Sequence, residues 1–196
     1  MVSGVDPVAE LLRLAPVGAI LDPNRRNRFS LTRKLAYESG GCKANRPILF
    51  CGYNPSTADE TVDDRTLRRE IAFAKELGGT YLVKVNLLSQ RATKPEKIDF
   101  AEAERSFEKN VSLVSELAAL TLQAGGKIIA AWGVPKGRKN VRALAAKAQD
   151  LLTGKSEFAQ HWQTLGLTRN GYPRHPLYLP KTAWKNLTHF QGSCCN

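Results

Sequence analysis

The sequence predicts an α/β protein, a three-layer α/β/α sandwich with a mainly parallel central sheet. Short apolar runs such as residues 47–51 end at a glycine or a polar residue, which is typical of strands buried on both faces. Amphipathic stretches of helical period lie between these runs, and strands that alternate with helices favour parallel pairing. The 196 residues, 42% of them hydrophobic, suit one well-packed domain.

The N-terminal part is predicted to be an appendage. Residues 1–26 should form a helix over residues 8–14 and an extension, and residues 27–196 the single α/β/α domain. A short strand is expected at residues 29–31. The Ser-Gly-Gly run within residues 38–41 predicts a turn.

The remaining elements follow from periodicity. Strands are predicted at residues 47–51, 81–87, 127–131 and 162–167, and helices at residues 64–77 and 100–124, each helix ended by a Gly-Gly pair. A third helix should begin near Asn140 as its N-cap. The apolar stripes of the first two helices are Leu67, Ile71, Ala74 and Leu77, then Phe107, Val111, Val114 and Leu117.

The formal net charge of +11 favours a polyanionic partner, DNA or a nucleotide, because basic side chains that neutralise phosphates release counterions. The alternative is a solvated basic surface without a partner. No apolar run approaches the roughly 20 residues of a membrane helix, so no membrane association is expected. We expect a monomer.

The four cysteines indicate neither a metal site nor a cofactor. Cys42, Cys51, Cys194 and Cys195 lack Cys-x-x-Cys spacing, and Cys51 ends an apolar strand, where a buried thiol is usual. No signal-peptide pattern precedes them, and a reducing, cytoplasmic location fits this usage.

Polar segments follow the predicted strands, and sites in such sheets lie beyond the carboxyl ends of the strands. After the first buried strand, Gly52 would let a backbone approach a ligand, and Pro55 stiffens the turn. Asn54 could hold a water, a sugar or a base edge with its amide. Spacing alone favours a simpler role, in which Asn54 bonds its own loop.

Carboxylates cluster before the helix predicted at residues 64–77. Asp63 or Asp64 is a natural N-cap, and capping is the favoured role for Asp63. The functional alternative makes Asp59 or Asp64 a general base or a ligand for substrate hydroxyls. For Asp59, the residues favour the structural and the functional interpretation equally.

Two further strand ends carry candidate binding residues. Asn86 can offer a donor and an acceptor to a pyrimidine edge, or it is a polar residue leaving the sheet. A Trp-Gly pair that follows a strand, here Trp132 and Gly133, packs in the core more often than it stacks on a ligand. Lys136 and Arg138 lie in a basic loop that can clamp a phosphate, although such loops are mostly solvated.

His175 lies between Arg174 and Pro176 in a turn constrained by prolines. A histidine there can donate a hydrogen bond to a leaving group that gains negative charge. The alternative is a histidine satisfied by backbone carbonyls.

Several of these segments together resemble the DUF1643 family, whose function is unassigned. They are residues 52–59, 63–66, 86–87, 131–133 and 168–180, and the resemblance extends over residues 27–180. In order, Gly52-Tyr53-Asn54-Pro55, Asn86, Trp132-Gly133 and His175-Pro176 also resemble motifs of the uracil-DNA glycosylase superfamily, which implies its α/β/α fold.

The glycosylase resemblance implies specific roles. Asn54 would position the attacking water, His175 would stabilise the departing base, and Asn86 would recognise the base edge. Leu177 or Leu179 would fill the gap left by a flipped nucleotide, and Tyr53 would stack on the base. Independently of the resemblance, Lys136, Arg138 and Arg174 are expected to contact DNA through its phosphates. Leu177-Tyr178 replaces the usual Ser-Pro, and the iron–sulfur cysteines of some branches are absent.

The leading hypothesis is therefore a DNA glycosylase that hydrolyses the N-glycosidic bond of a damaged or modified base. One alternative is a non-catalytic reader of a modified base or nucleotide. Another is an enzyme acting on free nucleotides, in which the acidic cluster contacts ribose hydroxyls.

Overall fold

The computed structural model describes residues 6–36 and 45–190. Its helices are α1 (Pro7–Leu14), α2 (Arg65–Glu76), α3 (Phe100–Arg105), α4 (Phe107–Gln123) and α5 (Lys139–Thr153). Its strands are β1 (Gly18–Leu21), β2 (Arg28–Lys34), β3 (Pro47–Gly52), β4 (Tyr81–Asn86), β5 (Lys127–Ala130), β6 (Trp162–Thr164) and β7 (Thr188–His189). The turn predicted at residues 38–41, and Cys42, Cys194 and Cys195, lie outside the described residues.

The strands form one seven-stranded sheet in the order β1-β2-β4-β3-β5-β6-β7. The α/β class is confirmed. The predicted parallel pairing is correct for the four central strands, β4-β3-β5-β6, but β1-β2, β2-β4 and β6-β7 pair antiparallel. The connection from β1 to β2 is only residues 22–27, which is too short for the crossover that parallel pairing needs.

Apolar side chains alternate between the two faces of the central strands. On one face, Leu49 and Cys51 of β3 join a cluster that contains buried residues of α4 and α5. On the other, Ile48 and Phe50 pack with Leu67, Phe73 and Ala74 of α2. Helices therefore cover both faces, as the near-continuous apolar runs of the strands require.

The predicted N-terminal appendage packs with the rest of the described chain. Leu11 of α1 and Ala15 are fully buried in the same apolar cluster as α4, and β1 extends the sheet beside β2. No helix among residues 6–36 and 45–190 has the length and apolar character needed to cross a membrane.

Two helix predictions need correction. The predicted helix at residues 100–124 is broken between α3 and α4 at Ser106, whose hydroxyl bonds the carbonyls of Glu102 and Ala103 and also accepts from Ser89 Oγ at 2.8 Å. Such side-chain bonds compete with the helical ladder. Helix α5 begins at Lys139 after Arg138 as N-cap, so Asn140 lies inside the first turn.

Candidate functional site

A cavity of about 650 Å³ opens at the carboxyl end of the central strands. Gly52 of β3 pairs with Asn86 of β4, and Cys51 pairs with Ala130 of β5, so these three strand ends lie side by side. The turn after β3, the end of β4 and the segment after β5 thereby form part of the cavity wall. His175, from the segment after β6, completes this part of the wall. Parallel pairing thus collects polar segments that are far apart in sequence.

Gly52 makes room for the polar floor of the cavity. A Cβ at this position would lie 2.6 Å from Lys84 Nζ and 2.8 Å from Asn86 Oδ1. Both distances are shorter than any ordinary contact, so only glycine lets the two side chains lie against this point of the backbone. Lys84 and Asn86 are two residues apart on β4 and project to the same face.

The floor holds a buried ion pair that joins α2 to β4. Lys84 Nζ lies 2.7 Å from Glu70 Oε1, and the two side chains are only 8% and 0% exposed. Burial raises the pKa of Glu70, and the charge and hydrogen bond of Lys84 oppose that rise. Glu70 Oε2 has no hydrogen-bond partner among the described residues. A buried pair with an unused acceptor is costly unless a ligand supplies a donor.

Arg28, at the start of β2, adds a second buried cation to the lining. Its Nη1 donates to the carbonyl of Ala58 at 2.8 Å, while its Nε has no partner within the described parts of the chain. Burial lowers the pKa of Arg28 to about 10, opposed by the charges of Asp64 and Glu70. The guanidinium therefore remains charged at neutral pH.

Asn86 and Trp132 each bury an unused polar group in the lining. Asn86 is 1% exposed, and neither its Nδ2 nor its Oδ1 has a partner among residues 6–36 and 45–190. The Nε1 of Trp132 is likewise unpartnered there, while its ring packs edge-on against Trp162 and Phe190. Buried polar groups are normally bonded, so these atoms indicate a ligand site or ordered water.

His175 is positioned as a neutral hydrogen-bond donor. Its Nδ1 accepts from the backbone N–H of Leu177 at 3.3 Å, so the proton of the neutral ring lies on Nε2. Burial, reinforced by the charges of Lys84 and Lys136, lowers the pKa of His175 to about 4 against the opposing charge of Asp64. The imidazole is consequently uncharged at neutral pH.

Tyr53 and Asn54 hold the loops around the cavity. The hydroxyl of Tyr53 donates to the carbonyl of Lys136 at 2.8 Å, and burial raises the pKa of Tyr53 to about 12. Asn54 Nδ2 donates to the carbonyls of Pro55 at 2.9 Å and Ala92 at 2.8 Å. Both amide protons of Asn54 are thus used, and its Oδ1 is the atom left to accept a hydrogen bond.

The sequence profile of DUF1643, a protein of unknown function, matches residues 28–177. The chain belongs to the DUF1643 family. The match begins at Arg28 and contains every residue of the cavity lining except Tyr178. No curated protein and no solved structure matches the sequence or fold of this DUF1643 protein.

The cavity brings together most of the site residues predicted from the sequence of this DUF1643 protein. Those in its lining are Tyr53, Asn54, Asp64, Asn86, Trp132, Lys136, Arg174 and His175. Asp59, Arg138 and Leu177 are not part of the lining. Within the described residues, no group of three or more His, Cys, Asp or Glu side chains is arranged to hold a metal ion.

The roles of the acidic residues before α2 differ from the predicted ones. Asp64 is the N-cap, accepting from Leu67 N at 2.8 Å, whereas Asp63 pairs with Arg33 at 2.9 Å. Asp59 accepts from the backbone N–H groups of Thr61 and Val62, which close its own turn. Of these three carboxylates, only Asp64 reaches the cavity.

The predicted site residues do not include Arg28, Glu70 and Lys84, the three buried charged residues of the lining. The usable signal is a charge at an apolar position. Lys84 interrupts the apolar strand of residues 81–87, and Glu70 follows Leu67 by three residues on the stripe of α2. Charged residues are rarely fully buried without a function or a partner.

A smaller basic groove adjoins the cavity of this DUF1643 protein. It has a volume of about 410 Å³ and shares Ser56, Ala92 and Thr93 with the main cavity. Arg25, Arg26 and Arg91 line it. Arg25 is paired with Glu60 at 2.7 Å and Arg26 lies 3.8 Å from Glu102.

Proposed function

We propose that this DUF1643 protein hydrolyses the N-glycosidic bond of a damaged or modified base in DNA. The observation that carries the proposal is the fully buried amide of Asn86, unpartnered in the described structure, in a cavity that also holds His175. An amide offers one donor and one acceptor side by side, which complements the edge of a nucleobase. Binding a base would satisfy both atoms.

His175 supplies the second requirement of this reaction, a donor for the leaving group. When the bond between the sugar C1′ and the base nitrogen breaks, the base departs with the bonding electrons and negative charge develops on it. A neutral imidazole that donates from Nε2 stabilises that charge without first losing a proton. Removing such a donor typically lowers kcat by about 100- to 1,000-fold.

Asn54 has the remaining role, holding the water that adds to C1′. Its Nδ2 is used by two carbonyls, which leaves Oδ1 to accept from the water. An amide does not take a proton as a general base. The water proton therefore leaves to solvent or to the departing base, and hydrolysis depends on leaving-group stabilisation and is slow on normal bases.

The same proposal includes a fold of the uracil-DNA glycosylase type. The parallel order β4-β3-β5-β6, helices on both faces and the four ordered motifs support it. The DNA phosphates would contact Lys136, Arg138 and Arg174. Leu177 would fill the gap that the flipped nucleotide leaves in the base stack. The groove of Arg25, Arg26 and Arg91 offers further phosphate contacts.

The test is base release under single turnover. Labelled oligonucleotides that carry uracil, thymine mismatches, hydroxymethyl-pyrimidines, deaminated purines or 8-oxoguanine are incubated with excess protein, and alkali then cleaves at abasic sites. We expect release from at least one of them and a loss of about 100-fold or more in His175→Ala. His161→Ala, at an exposed histidine outside the cavity, is the matched control and should retain the rate.

Absence of release from every oligonucleotide would contradict the proposal. A non-catalytic reader of the base is the second candidate, because both amide protons of Asn54 serve the loop. A reader binds one of the oligonucleotides selectively without releasing a base. Activity on free nucleotides would appear as release from mononucleotides without the salt dependence of DNA binding.

A further inference from the structure

We propose that the base recognised in this cavity is a purine with a 2-amino and a 6-oxo group, that is, guanine or a derivative of it. The inference rests on the proposed function, since it names the substrate class of the same site. It is carried by Glu70, a lining residue with one carboxylate oxygen bonded to Lys84 and the other without a partner in the described structure. Lys84 in turn lies with Asn86 against Gly52.

The unused polar atoms of the lining define what a ligand must supply. Three donors have no partner in the described chain: Arg28 Nε, Asn86 Nδ2 and Trp132 Nε1. Two acceptors are equally unused: Asn86 Oδ1 and Glu70 Oε2. All four side chains are at most 3% exposed, so leaving these polar atoms without a partner is costly.

Guanine complements this set. Its N1–H and 2-amino groups supply two donors, one for Asn86 Oδ1 and one for Glu70 Oε2. Its O6, N7 and N3 supply acceptors, and Asn86 Nδ2 donates to O6. Uracil and thymine have one ring N–H besides the sugar-bearing nitrogen and would leave the carboxylate oxygen of Glu70 without a donor.

The Glu70–Lys84 pair fixes which oxygen meets the base. Lys84 Nζ holds Oε1 at 2.7 Å, which leaves Oε2 as the free acceptor. Lys84 Nζ and Asn86 Oδ1 both lie against Gly52, so the pair and the amide flank one short stretch of the floor. The 650 Å³ of the cavity also accommodates a two-ring base with its sugar.

The test measures binding, so it does not need turnover. Calorimetric titration of the wild-type protein compares the monophosphates of deoxyguanosine, deoxyinosine, deoxyxanthosine and deoxyuridine. Deoxyinosine lacks the 2-amino group, and deoxyxanthosine carries an oxygen there. We expect deoxyguanosine monophosphate to bind about 10- to 100-fold more tightly than the inosine compound, as expected for a hydrogen bond to a charged group.

Glu70→Gln reverses the polarity of the floor. Lys84 still holds the amide oxygen, and an N–H replaces the free carboxylate oxygen. The preference should move from the guanine to the xanthine nucleotide, whereas a structural defect would weaken both. Glu76→Gln is the matched control, because it changes the same charge at an exposed position of the same helix.

The outcomes separate the two proposals. Equal binding of the guanine and hypoxanthine nucleotides by the wild type overturns the purine assignment, even if base release from another oligonucleotide upholds the proposed function. Tighter binding of deoxyuridine monophosphate overturns it as well. If no nucleotide binds and no oligonucleotide releases a base, both proposals fail. The wild-type comparison decides the assignment even if the variant does not fold.

Discussion

Gly52→Ala offers a sharp perturbation of the candidate site, because it adds one methyl group against the cavity floor. The new Cβ would lie 2.6 Å from Lys84 Nζ and 2.8 Å from Asn86 Oδ1, whereas ordinary contact begins at 3.4 Å. The ammonium must therefore move by 3.4 − 2.6 = 0.8 Å and the amide oxygen by 3.4 − 2.8 = 0.6 Å. Both are ends of side chains, so the backbone can remain in place.

The magnitude follows from the contact that is disturbed. Displacing Lys84 weakens its 2.7 Å bond to Glu70, and a hydrogen bond to a charged group contributes about 1.5–3 kcal/mol. Replacing glycine by alanine also lowers the conformational entropy of the unfolded chain, which raises the free energy of unfolding by about 0.4–1 kcal/mol. The free energy of unfolding should fall by about 1–2 kcal/mol, which lowers Tm by about 2–8 °C.

Calorimetric melting and nucleotide titration check this prediction together. We expect a folded variant with a modestly lower Tm and at least about tenfold weaker binding. Gly126→Ala is the contrasting variant, because its Cβ would clash with the backbone carbonyl of Pro47 and not with the end of a side chain. Since that backbone cannot move aside, we expect Gly126→Ala to abolish folding. A Gly52→Ala protein that keeps both the wild-type Tm and the wild-type affinity would refute the account of the floor.

Two further predictions concern buried charges. Glu70→Leu and Lys84→Met should each lower the free energy of unfolding by about 3–5 kcal/mol, because removing one partner leaves the other charge buried without a partner. The double variant should lose less than the sum of the two single losses. Additive losses measured by urea unfolding would contradict the pairing. His175, whose folded pKa of about 4 lies below its ordinary 6.5, binds a proton more readily when unfolded. Its contribution to stability is therefore complete above pH 6.5 and is lost as the pH falls towards 4, by about 2–3 kcal/mol. The wild type minus His175→Gln difference in unfolding free energy should show this slope, and a flat difference would count against the neutral imidazole.

The helices and central strands could be predicted because their signals are local. The stripes of α2 and α4 and the apolar runs of β3, β4 and β5 lie within single segments, and the structure has these elements within a few residues of the predicted bounds. Strands β1 and β7 were missed, because they are short and only partly buried or exposed at the edges of the sheet. Such strands leave a weak periodic signal.

The break at Ser106 illustrates a decision made by remote partners. The pattern of residues 100–124 favours one continuous helix, but Ser89 and Asn27, from distant segments, bond to each other and to the Ser106 hydroxyl. Local propensity carries no information about such partners. The tertiary structure therefore sets the end of α3.

The sequence alone determined the α/β class and the order in which polar segments follow the central strands, because both are written in local periodicity and turn chemistry. Only the tertiary structure decided which charges are buried together. Arg28, Glu70 and Lys84 belong to β2, α2 and β4, and they meet because β2 and β4 are neighbours in the sheet and α2 packs on that face. Charges are normally solvated, so a chain of 29 basic and 18 acidic residues does not reveal which of them the fold removes from water.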